Sequence, residues 1–546
     1  MIKLLLLFFP LILSAGFSLQ QLQQSPSGHV RNFYIWQFMQ DDNLSSDDAD
    51  AAYSLVDGHN DKIFKAYAKK TDDEAIKEQY RCLNLAVKDL LKENDAVCVD
   101  KALSLSSAME LSEDERTHLA TVLKEQYPKK SAQLELMNKK PFVLNLLKSE
   151  DGNYLEFFNT MGYKYRHQYF NVRLSHERIN KLADEKAFEK AVKYIVTDTK
   201  MNRMQKALHG LSQHEFSAQT YFFLALNALR FKATQRAVHY LDLAQNKAYF
   251  RIDKDKAEFW KYLITKDVEH LEALTHSSDI NIYTLYAKER LDLNVSNYFT
   301  QLDLQEKPSI YNIEDPYVWE DLVRKIRASN EQELMQLREA FKTKDDEAVN
   351  AFIYSKSLKY EVHNYIMPYS KATAKLSNDE KAILYALARQ ESHFIPSAIS
   401  RSFALGVMQM MPFLVEALAK KENEKVLLGE MFDPYKNISY ATRHINYLQK
   451  HLYHPLFIAY AYNGGIGFTK RHLLKNTFLP GSFEPFMSME LMANTESREY
   501  GKKVLANYVI YKKILGEEVK ITSLFETLTV PSHTDRFRMK ALTRKH

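Results

Sequence analysis

The sequence predicts an all-α protein in two parts, an N-terminal α-superhelical solenoid followed by a mostly helical C-terminal domain. Glycine and proline are scarce, with 14 of each among 546 residues, far below average usage. No proline occurs between Pro141 and Pro308, and so long a stretch without proline is typical of packed helices. Eight of the glycines follow residue 400, so the composition changes there. The chain is also longer than the roughly 250–300 residues that one hydrophobic core accommodates.

The N-terminus, residues 1–16, has the pattern of a secretory signal peptide. One lysine precedes an apolar run from Leu4 to Leu13, and the small residues Ser14, Ala15 and Gly16 follow. Such a run is too short for a comfortable membrane span. We therefore expect a periplasmic protein with no integral membrane segment after signal removal. An uncleaved N-terminal anchor is the alternative.

The chain contains two cysteines, Cys82 and Cys98. In an exported protein an even pair favours one disulfide, here joining two neighbouring helices. Two buried free thiols are the alternative.

The charge pattern bears on the partner. The net charge is +5, and 74 basic residues are interspersed among 69 acidic ones. A nucleic-acid-binding protein would carry a concentrated basic stripe, and none stands out, so no nucleic-acid partner is predicted. A mildly basic exported protein suits an anionic polymer such as the cell wall.

Residues 17–360 are predicted to form the α-superhelical domain. Apolar residues recur there at helical spacing, and brief polar turns separate the stripes. Helical hairpins that cannot close a core alone tend to stack as a solenoid. No clean sequence period establishes a regular tetratricopeptide array. The clearest stripes are Tyr221, Ala225 and Ala228, followed by Ala237, Leu241 and Ala244.

Three further segments are predicted after the superhelical domain. Residues 361–376 contain Pro368 and several small polar residues, which predicts a linker. Residues 377–516 carry the candidate reactive groups and are predicted to be the catalytic domain. Residues 517–546 are predicted to be a basic C-terminal tail.

The first helix of the catalytic domain carries the most informative carboxylate. Ser377 and Glu380 have the spacing of a capping box, and the apolar period that follows includes Leu387. Glu391 comes four residues later, on the same face, and Pro396 requires the helix to end soon afterwards. Burial disfavours an ionised carboxylate, so the pKa of Glu391 should be raised. A protonated glutamate near neutral pH is what a general acid needs, while a capping or half-buried structural glutamate is the alternative.

The residues around Glu391 resemble a known family. Glu391-Ser392, then Ser400, then the stretch from Gly406 to Gln409 and Pro412, resemble the catalytic region of the soluble lytic transglycosylases. The likeness runs without a gap from Arg389 to Pro412. A later segment, 461–465, resembles the family's Ala-Tyr-Asn-Ala-Gly, and the whole likeness covers about the last third of the chain.

The resemblance implies a lysozyme-like catalytic domain on a helical superhelix and a role for each matching residue. Glu391 would protonate the bond after N-acetylmuramic acid and then deprotonate that sugar's C6 hydroxyl, giving a 1,6-anhydromuramyl end without water. Ser400 would support the acid, and Gln409 would contact substrate. Tyr462 and Asn463 would lie in the cleft. Glu496, in a segment similar to the family's Glu-Thr-Arg-x-Tyr, would bind substrate or form a structural ion pair. Departures from the pattern, Val407 for Leu, Gly464 for Ala and Ser497 for Thr, remove no reactive group.

Other functions stay open from the residues alone. Ordinary glycosidases use a second carboxylate, and Asp433, Glu484, Glu496 and Glu499 are available, with Asp433 placed to cap a turn or helix. A muramidase would hydrolyse the same bond. A non-catalytic wall-binding scaffold, or a periplasmic solenoid that binds protein partners, would leave the motif set unexplained. The superhelical domain carries no reactive constellation, so we expect it to hold glycan strands or to limit which strands enter.

No cofactor and no metal are predicted. His444, His451 and His454 invite a metal interpretation, but their spacing matches no standard site. The expected partner is the peptidoglycan glycan strand.

Overall fold

The structure, a computed structural model, describes residues 17–543. The signal peptide predicted at residues 1–16 lies outside the described residues. Among residues 17–543, no helix has the length and apolar composition needed to cross a bilayer.

The described chain is built from helices, which confirms the predicted all-α class. The first group is α1 Leu19–Gln24, α2 His29–Phe38, α3 Ser46–Tyr53, α4 Asp61–Tyr67, α5 Glu74–Leu83, α6 Ala96–Ala102, α7 Leu105–Ala108, α8 Glu113–Leu123, α9 Pro128–Asn138, α10 Phe142–Lys148, α11 Asp151–Thr160 and α12 Tyr163–Tyr165. The second group is α13 His176–Ala183, α14 Phe188–Thr197, α15 Asn202–Ala207, α16 Ala218–Arg230, α17 Thr234–Lys247, α18 Arg251–Thr265, α19 Glu269–Thr275, α20 Ile282–Arg290, α21 Pro316–Ala328, α22 Glu331–Glu339 and α23 Glu347–Ser357. The third group is α24 Ser370–Thr373, α25 Asn378–Ser392, α26 Pro412–Lys421, α27 Pro434–Gln449, α28 Pro455–Gly464, α29 Ile466–Leu473, α30 Phe486–Glu490, α31 Thr495–Ile514, α32 Ile521–Thr527, α33 Pro531–Thr534 and α34 Arg536–Thr543.

Short elements complete the described fold. The two strands, β1 Tyr298–Phe299 and β2 His363–Asn364, pair in parallel, with Tyr298 opposite His363. Single turns of tighter or wider helix lie at Leu90–Lys92, Arg166–Phe170, Leu208–Gly210, Lys344–Asp346 and Leu428–Phe432.

Helices α16 to α20 show why the first part stacks. Each packs on the next in chain order, and the predicted stripe of Ala237, Leu241 and Ala244 is the buried face of α17. Small residues on that stripe allow α17 to lie between α16 and α18. Successive helices that bury one another's apolar faces form the predicted helical stack.

The structure joins Cys82 on α5 and Cys98 on α6 as a disulfide, with Cα atoms 4.9 Å apart. We expect thiol labelling of the unfolded, unreduced protein to find no free thiol. Closing a loop of this length would stabilise the fold by about 3 kcal/mol. Reduced and then labelled protein is the control, and two labelled cysteines before reduction would contradict the bridge.

The segment expected to be a linker, residues 361–376, is packed between the two parts of the chain. It contains β2 and α24, and Tyr365 and Ile366 are fully buried. The Tyr365 hydroxyl donates to Asn507 Oδ1 on α31, at 3.1 Å. Pro368 and the small polar residues suggested a connector, but the apolar pair in front of them is anchored in the core.

The segment expected to be a basic tail folds as α32, α33 and α34 in the residues that the structure describes. Arg538 is buried, and its guanidinium donates to Asp535 Oδ2 at 2.7 Å and to the carbonyl of Phe478 at 2.9 Å. Part of the basic charge is therefore structural and ties this end of the chain to the segment around Phe478.

Candidate active site

Helix α25 carries Glu391 to the surface of a pocket. The predicted capping box is present, because Ser377 Oγ accepts from the Glu380 amide at 3.3 Å and Glu380 Oε2 accepts from the Ser377 amide at 2.9 Å. The helix ends at Ser392, and His393 takes a left-handed conformation with φ 53°. Glu391 thus lies in the last turn, where the apolar face of α25 meets the pocket.

Glu391 has one hydrogen-bonding partner in the described part of the chain. The Tyr500 hydroxyl donates to Glu391 Oε1 at 2.6 Å. Burial raises the pKa of Glu391 to about 7, the Tyr500 hydrogen bond acts in the opposite direction, and the nearby charge of Glu496 raises the pKa further. The raised pKa expected from the sequence is confirmed, and the carboxyl has the proton affinity of a general acid at neutral pH.

The pocket at Glu391 has a volume of about 390 Å³. Helix α31 supplies one wall, with side chains that recur at helical spacing. The lining residues are Gln390, Glu391, Asn463, Thr495, Glu496, Glu499, Tyr500 and Lys503.

A tight loop at residues 397–411 packs against the end of α25. Ser392 Oγ donates to the carbonyl of Val407 at 2.7 Å. Gly406 has φ +74°, and a Cβ there would lie 2.2 Å from the carbonyl oxygen of Met431, so only glycine fits. Buried Asn437 holds the same turn, accepting from the Met408 amide at 2.8 Å and donating to the Leu405 carbonyl at 2.9 Å.

Gln409 is half-buried within this loop. Its Nε2 donates to the carbonyls of Ala398 at 3.0 Å and Gly406 at 2.8 Å. Carbonyl oxygens only accept hydrogen bonds, so the atom of the Gln409 side-chain amide that faces them is the nitrogen. Substrate contact by Gln409 stays a prediction.

Ser400 does not bond to Glu391 among the described residues. Its Oγ accepts from the amide of Ala404 at 2.9 Å, and its carbonyl accepts from His29 Nε2 at 2.7 Å. The first of these bonds matches a loop serine that binds backbone, so direct support of the acid by Ser400 stays a prediction.

Tyr462 and Asn463 lie at the end of α28 and bond to different parts of the chain. The Tyr462 hydroxyl donates to the carbonyl of Met408 at 2.7 Å, and burial raises the pKa of Tyr462, with Glu391 adding to the effect. Asn463 Nδ2 donates to Glu496 Oε1 at 2.9 Å, and Asn463 Oδ1 accepts from Ser497 Oγ at 2.7 Å. The structure therefore brings Tyr462, Asn463 and Glu496 into the surroundings of Glu391.

Residues 368–481 match the family model of the transglycosylase SLT domain. We call this matched segment, residues 368–481, the SLT domain. Over 144 residues it is 30% identical to the soluble lytic murein transglycosylase of Escherichia coli K12, covering 26% of this chain and 22% of that protein. Over 177 residues it is 29% identical to the membrane-bound lytic murein transglycosylase C of Edwardsiella ictaluri, covering 29% of this chain and 49% of that protein.

The chain therefore spans about a fifth of the first relative and about half of the second. Among solved structures it is similar to the 70 kDa soluble lytic transglycosylase of Escherichia coli, with a TM-score of 0.48 and 16% identity over 92% of this chain and 83% of that chain.

The two other carboxylates that line this pocket, Glu496 and Glu499, each have a partner. Glu496 is exposed and holds Asn463. Glu499 pairs with Arg498 at 2.8 Å and Lys502 at 2.9 Å, and these cations keep the pKa of Glu499 well below its usual range despite burial.

The two other acidic candidates have local structural contacts. Asp433 Oδ1 accepts from the amides of Tyr435 at 2.8 Å and Lys436 at 3.4 Å, which is the predicted helix cap. Glu484 accepts from Ser488 Oγ at 2.9 Å. Glu391 is thus distinguished from the other candidates by a raised pKa within the pocket.

One of the three histidines considered for a metal caps a helix. His454 Nδ1 accepts from the Leu456 amide at 3.1 Å and so caps α28. Within residues 17–543, the one group of three or more ligand residues close enough to hold a metal ion is Glu78 with Cys82 and Cys98. Both of those sulfurs are in the disulfide.

Sequence reasoning did not select Tyr500 as a site residue. Tyr500 follows Glu496 by four positions on α31, so both side chains lie on one face of that helix, and this spacing was the available signal. Both residues follow the segment that matches the SLT domain model. Asn437, which holds the Gly406 turn, gave no signal beyond its place in a capped helix.

Tyr500→Phe is expected to move the alkaline limb of the pH–rate profile to higher pH. A hydrogen bond to a carboxylate favours ionisation, so its loss raises the pKa of Glu391 further. Because the acid must be protonated, the rate falls as pH rises through this pKa, and that fall should shift upward by about one pH unit. The measurement is kcat/KM against pH.

The matched control is Tyr508→Phe, on the same helix. Tyr508 donates to Asp379 at the far end of α25, so its loss should leave the profile unchanged. An unchanged profile in Tyr500→Phe, or a shift to lower pH, would show that this hydroxyl does not set the proton affinity of Glu391.

Proposed function

We propose that the protein is a peptidoglycan lytic transglycosylase. It cleaves the β-1,4 bond between N-acetylmuramic acid and N-acetylglucosamine without water and leaves 1,6-anhydromuramyl ends. The observation that carries the proposal is Glu391, a carboxyl with its pKa raised to about 7 in the pocket of an SLT domain. The names of the relatives, lytic murein transglycosylases, agree with this reaction.

The first step uses Glu391 as an acid. Its proton passes to the glycosidic oxygen, which leaves with the N-acetylglucosamine, and the bond from that oxygen to C1 of the muramyl sugar breaks. Positive charge develops at C1, as in other glycosidic cleavages. A carboxyl with a pKa near the working pH is suited to give up its proton at this point.

The second step uses the same carboxyl as a base. The Glu391 carboxylate removes the proton of the muramyl C6 hydroxyl, and O6 bonds to C1 to close the anhydro ring. The proton lost in the first step is thereby regained, and no water is consumed. Because the nucleophile belongs to the substrate, positioning replaces a bimolecular encounter.

The ion pairing of Glu499 favours this route over hydrolysis with Glu499 as a second catalytic carboxylate. Glu499 is neutralised by Arg498 and Lys502, and Glu496 is held by Asn463. In the proposed reaction, Tyr500 orients Glu391 and stabilises its ionised form between the steps. Gln409, Tyr462, Asn463 and Glu496 bind the sugar rings, and Ser400 supports the acid.

The remaining parts of the proposal concern the cellular location of the protein and the role of the helical stack. The protein is exported to the periplasm by the N-terminal signal peptide, where peptidoglycan is the partner. The helical stack holds glycan strands or restricts which of them reach the pocket.

Product mass tests the reaction. Purified peptidoglycan digested with the protein should release muropeptides lighter by one water than those released by a muramidase from the same material. Products with that water included would identify a muramidase instead. Binding to peptidoglycan without any cleavage, by protein that is shown to be folded, would identify a wall-binding scaffold.

A further inference from the structure

The start of the described chain reaches the active-site loop. Helix α2 begins at His29, and His29 Nε2 donates to the carbonyl of Ser400 at 2.7 Å. Two residues further along the loop, the carbonyl of Ser402 accepts from Lys62 Nζ, on α4, at 2.6 Å. Two carbonyls of one turn of the loop are therefore bonded to helices that lie more than 300 positions earlier in the sequence.

The side chain that follows these two bonded residues, Phe403, packs against α2. Phe403 is fully buried, although its backbone has φ 61°, a left-handed conformation that a phenylalanine adopts only when its surroundings impose it. Its ring centroid lies 5.5 Å from that of His29, 5.6 Å from that of Phe33 and 5.5 Å from that of Trp36. Removing α2 would expose the ring that holds this strained turn.

Helix α2 is itself anchored at the end that carries His29. Glu320, on α21, accepts from the amides of His29 at 2.8 Å and Val30 at 3.3 Å. Gly28 makes this approach possible, since a Cβ there would lie 2.7 Å from Glu320 Oε2. Glu320 therefore holds the backbone at His29, while the Ser400 carbonyl and Phe403 hold its ring.

The loop that α2 holds is the one that packs on the catalytic carboxyl's helix end. The Ser400 hydroxyl accepts from Ala404, the Gly406 amide donates to Ala398 at 2.9 Å, and Val407 accepts from Ser392, the neighbour of Glu391. Because these hydrogen bonds connect the Ser400 turn to Ser392, a displacement of the turn would also displace the end of α25.

We propose that α2 is a structural arm of the active site and that His29 is a positioning residue for the loop at 397–411. His29 touches no reacting atom. It donates to the Ser400 carbonyl, which requires the proton on Nε2, and together with the Phe403 contacts it fixes the loop against α25. The turnover part of the test rests on the proposed function, whereas the loop's rigidity does not.

The experiment compares full-length wild type with His29→Leu and with His29→Gln, whose amide can still donate to the carbonyl. Hydrogen exchange of the peptide covering residues 398–410 reports the loop directly, because the amides of Ala404, Gly406 and Met410 are bonded within it. In His29→Leu we expect this exchange to become about tenfold faster while exchange in α16 stays unchanged. We expect kcat to fall about tenfold with KM changed less than twofold, since small misplacement near a reacting group acts mainly on turnover. His29→Gln should restore most of both.

His59→Leu is the matched control. His59 is exposed just before α4, and within residues 17–543 its side chain bonds only to Asp61. It should leave loop exchange and kcat unchanged. Lys62→Met is the second variant, and it should speed loop exchange independently of His29.

Wild-type exchange rates in the loop of folded His29→Leu and Lys62→Met would overturn the inference. Faster loop exchange with an unchanged kcat would also overturn the inference, because the rigidity of the loop would then not affect the reaction. If wild type itself forms no anhydro product, the proposed function fails, while the exchange comparison still decides whether α2 holds the loop.

Discussion

Glu391→Gln is expected to abolish bond cleavage while making the fold more stable at neutral pH. Glutamine keeps the size of the side chain and can still accept the Tyr500 hydrogen bond, but it can neither donate a proton as an acid nor remove one as a base. General acid–base catalysis contributes about 10²–10⁴-fold for a proton transfer, and the same carboxyl serves two transfers here. We therefore expect anhydro product formation to fall by at least about 10³-fold.

The stability change follows from the raised pKa of Glu391, about 7 in the fold against 4.5 as its ordinary value. Between these two values the unfolded chain has released the proton and the folded chain has retained it. Stability therefore decreases as pH rises from 4.5 to 7 and is lowest above 7. Glutamine removes this loss, so the variant should be more stable at pH 8, by about 1–3 kcal/mol after allowing for the half-buried position.

The measurement is the free energy of unfolding at several pH values beside turnover. The difference between variant and wild type should be largest above pH 7 and should disappear below about pH 4.5. Glu416→Gln, an exposed glutamate on α26, is the control and should change neither quantity. Near wild-type turnover in Glu391→Gln would show that another residue is the acid. An equal stability change at all pH values would show that the raised pKa of Glu391 is not its cause.

The features that the sequence could predict depend on residues close together in the chain. The capping box at Ser377 and the helix end before Pro396 fix the direction of α25 and the register of Glu391. The apolar stripes predict the helical stack for the same reason, because hydrophobic periodicity is local. The likeness to the soluble lytic transglycosylases added roles that spacing alone does not give.

The features that were missed join residues far apart. Tyr500 and Glu391 are separated by 109 positions, and His29 and Ser400 by 371. Nothing in the local pattern of a histidine at the start of a helix indicates which carbonyl it will meet. The packing of the predicted linker and tail was missed for a related reason. Tyr365 donates to Asn507 and Arg538 donates to the carbonyl of Phe478, and no local window contains these contacts.

A second group of distant residues forms a buried charge network that joins α20 of the helical stack to α30 and α31. Tyr283, on α20, donates to Glu490 Oε1 at 2.7 Å. Lys502, on α31, lies 2.9 Å from Glu490 Oε1 and 2.9 Å from Glu499 Oε2. The side chains of Lys502 and Glu490 are 1% and 3% exposed, so these charges depend on each other rather than on solvent.

Lys502→Met is expected to destabilise the protein by about 3–5 kcal/mol, because it leaves the Glu490 carboxylate buried without its closest cation. Arg498 remains, but its Nε lies 3.8 Å from Glu490 Oε2. The double variant Lys502→Met/Glu490→Met should recover most of the loss, since replacing both members of a buried ion pair by apolar side chains is often nearly neutral. The measurement is the free energy of unfolding in urea for both variants.

Lys503→Met is the control for this prediction, because Lys503 is the next residue on α31 and is exposed. Its effect on stability should stay within about 0.5 kcal/mol. A loss below 1 kcal/mol in Lys502→Met would mean that water or Arg498 compensates Glu490. A double variant as unstable as the single one would mean that Lys502 stabilises the junction through Glu499 instead, and that the attachment of α31 to the helical stack does not depend on Glu490.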